Sequence, residues 1–95
     1  MDELRFAKSA SKHHVSEERA TYVIDHCGMV LPQPPPANNP DDHDERLVFL
    51  GDDRSGIPLE VVAIEVAAGK LVVIHAQKLR DKSRAAYRRV IGYQR

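Results

Sequence analysis

Arg46-Leu47-Val48-Phe49-Leu50-Gly51, Pro58-Leu59-Glu60-Val61-Val62-Ala63-Ile64-Glu65-Val66 and Leu71-Val72-Val73-Ile74-His75-Ala76-Gln77 are three apolar runs rich in β-branched residues. Such residues suit a pleated, half-buried surface, so each run reads as a strand. Asp52-Asp53-Arg54-Ser55-Gly56 separates the first pair and Ala67-Ala68-Gly69-Lys70 the second, and both are turn-forming segments. The stretch therefore predicts a three-stranded antiparallel meander. With Ala68-Gly69 at the centre of the second turn, Val62 falls opposite His75 and Ile64 opposite Val73. Glu60 then lies diagonally beside His75 on the same face, close enough for paired side chains. Both faces of the meander are largely apolar, which calls for helices on each.

Outward from the meander, residues 3–13 carry good helix formers with Leu4, Ala7 and Ala10 at helical spacing, and they predict a first helix. His14-Val15 breaks it. Ser16 is a suitable N-cap for a second helix whose first turn holds Glu17 and Glu18, where carboxylates complement the positive end of the dipole. Ala20, Val23, Ile24 and Cys27 form its inward stripe, and Gly28 suits its end. Met29-Val30-Leu31 is a short strand stopped by Pro32, and residues 32–44 form a polar, proline-rich, acidic loop. That loop is long for a compact domain and reads either as a disordered segment or as a functional insertion. From about Asp81 to Ile91 a last helix packs through Ala85, Tyr87, Val90 and Ile91 and turns Arg84, Arg88 and Arg89 outward. The expected architecture is α+β: two N-terminal helices, a three- to four-stranded antiparallel sheet and a C-terminal basic helix, in one domain over residues 1–95.

The chain has 95 residues, 42% apolar and 29% charged, which suffices for one modest core. Its formal net charge is zero, but the charge is segregated. Asp41 to Glu65 holds eight acids against two bases, and Lys78 to the C-terminus seven bases against one acid. A partner meets a surface rather than a sum, so the asymmetry matters more than the total. A single cysteine, Cys27, excludes an intrachain disulfide and fits a reducing compartment. No apolar run reaches the roughly 18–20 residues that span a bilayer, and the N-terminus lacks an apolar signal region. A cytoplasmic protein without membrane partners is expected.

Several local motifs resemble the BrnT-like toxins of bacterial type II toxin–antitoxin modules, within the wider RelE-type ribonuclease superfamily. They are Ser11-Lys12-His13-His14-Val15-Ser16-Glu17-Glu18, the strand pair around Asp53-Arg54-Ser55-Gly56, and Val73-Ile74-His75-Ala76 leading into Lys78-Leu79-Arg80 and an Arg/Lys-rich helix. The likeness covers most of the chain outside the proline-rich loop. His14 stands where that family commonly has glycine, and the family's first helix usually follows a short opening strand, for which only Met1-Asp2 remain here. The resemblance implies an endoribonuclease toxin acting on mRNA, with RNA and a cognate antitoxin as partners and assembly as a homo- or hetero-oligomer. It also points to Arg54 as a working residue.

Two readings are open for His75. One is a general acid or base of RNA cleavage, since histidine titrates near neutral pH; the other is a strand-end residue that bonds a backbone carbonyl. Glu60 either orients that ring or is an ordinary strand glutamate. Arg54 offers a planar fork of donors to the charge that builds on a phosphate, or else is a turn residue paired with Asp52 or Asp53. With Arg80, His75 and Arg54 make up the expected catalytic set. Lys78, Lys82, Arg84 and Arg88, joined by Lys12 and His13, resemble a phosphate-binding surface, or a docking surface for an acidic antitoxin. No zinc or calcium spacing, phosphate-cradling glycine loop or serine elbow occurs, so neither metal nor cofactor is expected. Metal-independent cleavage needs only a proton shuttle, positive charge and the RNA 2′-hydroxyl. The alternative is a non-catalytic interaction module that binds an antitoxin or regulates its operon.

Overall fold

The computed structural model describes residues 3–11, 14–26, 28–33 and 45–94. In chain order the elements are β1 (Glu3–Phe6), a 3-10 turn (Lys8–Ser11), α1 (Glu17–His26), β2 (Met29–Gln33), β3 (Arg46–Asp52), β4 (Pro58–Ala67), β5 (Lys70–Lys78) and α2 (Asp81–Gln94). The strands form one five-stranded sheet in the order β1-β5-β4-β3-β2. β1 runs parallel to β5, and the other pairs are antiparallel.

This corrects the expected architecture of two N-terminal helices, a three- to four-stranded antiparallel sheet and a C-terminal basic helix. Among the described residues a strand comes first, one α-helix rather than two precedes β2, and the sheet is mixed. Glu3-Leu4-Arg5-Phe6 alternates in burial: Leu4 and Phe6 pack on the core while Arg5 is exposed. Period-2 burial against β5 outweighs the helical spacing of Leu4, Ala7 and Ala10. The backbone N–H groups of Glu3 and Ala7 donate to Gly69 and Val73 (3.0 and 2.8 Å), tying both ends of β1 to β5. β2 runs through Pro32 instead of stopping there, because the strand lies at the sheet edge, where a proline need not donate. Lys12, His13, Cys27 and residues 34–44 of the expected loop lie outside the described residues.

The meander over β3, β4 and β5 places Val62 opposite His75. Beyond that pair the register slips, so Ala63 faces Val73 and Ile64 faces Val72, not Val73 as the simple count has it. Ile74 is the extra residue, a bulge on β5 whose carbonyl accepts a 2.7 Å hydrogen bond from the Ser9 hydroxyl. The turns into β4 and β5 use Gly56 and Gly69 at φ of 81° and 76°, a region that suits glycine.

Two layers flank the sheet. On one face α1 buries Ala20, Val23 and Ile24 against Phe49, Val61, Val73 and Ala76. Ser16 caps this helix by accepting the Arg19 N–H at 3.2 Å. On the other face Leu50, Leu79 and Tyr87 of α2 pack with Met29, Leu31 and Val48. Tyr87 anchors α2 by donating its hydroxyl to Asp52 Oδ1 at 2.6 Å. His14 sits before α1 at φ 60°, in the left-handed region that favours glycine.

Candidate functional site

A groove of about 610 Å³ opens between the first turns of α1 and the β3–β4 turn. Ser16, Glu18, Arg19 and Tyr22 line it from the helix, Asp53, Arg54, Ser55 and Ile57 from the turn, and Lys78 from the end of β5. The turn is rigid at its base. Asp53 is buried, and its Oδ1 accepts the backbone N–H groups of Ser55 and Ile57 at 2.8 and 2.9 Å. Its Oδ2 accepts Arg19 Nε at 2.9 Å, joining turn to helix. The Ile57 N–H, opposed by burial and helped by Arg19 and the Ser55 N–H, holds the Asp53 carboxyl below the usual range.

That floor leaves Arg54 raised over the groove. Its guanidinium carbon is 4.9 Å from the centre of the Tyr22 ring, and its Nε is 3.9 Å from Glu18 Oε1. Both charged side chains are mostly exposed, so this ion pair is weak and readily opened by a competing anion. Tyr22 also stacks on His26, with ring centres 4.2 Å apart and planes 20° off parallel. Spacing of four along a helix puts the two rings on one face. His26 Nδ1 lies 3.0 Å from the Tyr22 carbonyl oxygen, which can accept a hydrogen bond from it.

The expected catalytic set is divided by the sheet. Arg54 and Lys78 meet in this groove on the α1 side. His75 pairs with Val62, which faces Val48, so alternation turns its ring toward the α2 side. Arg80 is on that side too, and its guanidinium is committed. Glu60, fully buried, accepts the Arg80 N–H at 2.8 Å on Oε1, and Arg80 Nε and a terminal guanidinium nitrogen at 2.9 and 2.8 Å on Oε2. Gln77 Nε2 adds a longer bond of 3.4 Å to the same oxygen. Burial raises the Glu60 carboxyl, but the hydrogen bonds and charge of Arg80 outweigh it, leaving the group below its ordinary value. The orienting role expected of Glu60 toward His75 is thus directed to Arg80, where it fixes the exit from β5.

Arg84 and Arg88 are exposed on α2, with Arg84 Nε 3.4 Å from Asp81 of the same helix. They form a basic surface separate from the groove. The side chain of Lys82 lies outside the described residues. Sequence reasoning missed Glu18, Arg19, Tyr22 and His26 as site residues. The Tyr22–His26 spacing was the signal available for two of them, while the other two needed the turn to be folded against α1. Among the described residues no three His, Cys, Asp or Glu side chains gather to hold a metal ion, and no helix is long and apolar enough to cross a membrane. Neither a protein-family model nor a curated protein matches the chain.

Proposed function

We propose that the groove between α1 and the β3–β4 turn binds RNA phosphates, and that the chain is the endoribonuclease toxin of a type II toxin–antitoxin pair. The observation that carries this reading is the meeting of Arg54, Lys78, Glu18 and Tyr22 in one open groove, with Arg54 positioned by a buried turn. Those groups suit cleavage without a metal. The 2′-hydroxyl attacks the adjacent phosphorus while Glu18 accepts its proton. Arg54 stabilises the added negative charge, and Lys78 gives a proton to the departing 5′-oxygen. The products are a 2′,3′-cyclic phosphate and a free 5′-hydroxyl.

Two features of the backbone support the resemblance behind this proposal. The chain opens with a short strand, β1, ahead of its first helical turn, as the family usually does. His14 has a left-handed backbone, a conformation that suits glycine, the residue the family commonly carries at that place. The basic residues at the groove are also suitable contacts for an acidic antitoxin, which would inhibit by covering them.

The test is incubation of the purified chain with single-stranded RNA in excess chelator, alongside Arg54→Ala and Glu18→Gln. Cleavage is expected to persist with chelator and to drop by about a hundredfold or more in either variant. Expression in bacteria should arrest growth, with relief by Arg54→Ala. Intact RNA at stoichiometric protein would sink the catalytic claim. A second reading, a non-catalytic binding module, is favoured by one observation: Arg80 and His75 lie across the sheet from Arg54. Salt-sensitive RNA binding without cleavage would select it.

A further inference from the structure

The stack that begins at Arg54 continues past the groove. Tyr22 touches the Arg54 guanidinium and the His26 imidazole, and His26 is an exposed residue at the last turn of α1. Tyr22 occupies one face of the ring, and His26 as a whole residue is exposed. The ring is held in place twice, by the stack and by the 3.0 Å contact of Nδ1 with the Tyr22 carbonyl oxygen. In the neutral ring that contact is a hydrogen bond when Nδ1 carries the proton.

Resting on the RNA reading above, we infer that His26 is a stacking site for one nucleobase of a single-stranded RNA whose phosphate lies at Arg54 and Lys78. Every base has a π-face, so such a site tolerates any sequence and requires an unpaired base. A duplex, whose bases are already stacked on one another, cannot use it. The site thereby narrows the substrate class to single-stranded RNA and makes His26 a positioning residue outside the reacting atoms. A merely structural role is also at hand, because a histidine near a helix end that bonds a late carbonyl serves as a cap. The two roles differ in what they require: stacking needs a flat ring, capping needs a nitrogen.

The test compares two oligomers of equal length and charge, one a single-stranded RNA containing 2-aminopurine and the other an abasic ribose-phosphate chain. Wild type is expected to bind the RNA about tenfold more tightly than the abasic chain and to quench the 2-aminopurine fluorescence. His26→Ala should erase both the preference and the quenching. His26→Phe keeps a ring and loses the nitrogen, so it should retain both even if the helix end frays. Equal affinity for the two oligomers in wild type overturns the stacking site and leaves the phosphate groove standing. A preference that survives His26→Ala overturns it as well. Failure to bind either oligomer defeats the RNA reading and this inference together.

Discussion

A carboxylate shut away from water needs donors, and Glu60 has them in Arg80 and Gln77. Breaking a buried ion pair by removing one partner costs about 3–5 kcal/mol. Arg80 is half exposed, so part of that interaction is already screened, and Arg80→Ala is expected to cost about 2 kcal/mol in urea unfolding. The pH dependence has a defined sign. Because the folded carboxyl titrates below the unfolded one, its contribution is complete above about pH 4.3 and is lost as pH falls through the folded value. Asp53 is lowered likewise and acts in the same direction. Glu60→Gln should therefore be less stable at neutral pH yet lose less stability on acidification, as acid titration followed by circular dichroism would reveal. A slope equal to that of wild type would refute this account of Glu60. His14 presents the opposite case, a residue whose backbone costs free energy. A non-glycine residue at positive φ costs of order 1 kcal/mol, so His14→Gly is expected to raise stability by a fraction of that, the flexibility of the unfolded chain offsetting the rest.

Among the described side chains of α2, Tyr87 is the buried one. Tyr87 is buried and donates to Asp52, and it is the described α2 residue in the core cluster on that face of the sheet. Tyr87→Phe removes the hydrogen bond to Asp52 and should cost about 1 kcal/mol. Tyr87→Ala should cost about 3 kcal/mol and speed amide exchange along α2 while the sheet amides stay protected. A uniform rise in exchange across the whole molecule would contradict that picture. The elements were unequally legible in sequence. β3, β4 and β5 announce themselves because apolar runs alternate with turns at Gly56 and Gly69, and their pairing is local. β1 did not, because Glu3-Leu4-Arg5-Phe6 is too short to separate period 2 from helical spacing, and its partner β5 comes more than half the chain later. The Ile74 bulge is invisible to counting, yet it moved the pairs from Ala63 to Glu65, and a second irregularity before Ala67 restored the count. The site suffered from the same cause: Arg54 and Lys78 were read as phosphate ligands, but their convergence with Glu18 and Tyr22 depends on Arg19 reaching Asp53 across the fold.

At the scale of the whole molecule, zero net charge conceals a groove of paired charges beside α1, to which Lys78 adds a further cation, and a basic outer face on α2. Binding that neutralises phosphates weakens with salt, by about 0.7 in the logarithmic slope for each phosphate of a single strand. Arg54→Ala is expected to lower that slope by about this amount, measured by titrating RNA at several salt concentrations. An unchanged slope would place the phosphate elsewhere. The parallel pairing of β1 with β5 carries a different consequence, one of time. Glu3 meets Lys70 and Phe6 meets Val73, so this pairing closes a far longer loop of chain than either hairpin of the meander. Loop closure is entropically costly, and the hairpins can form before it. The first strand is then expected to join last, with its contacts unformed at the folding barrier. Leu4→Ala should accelerate unfolding while leaving the refolding rate nearly unchanged, so that β1 determines how long the native state endures once it has formed.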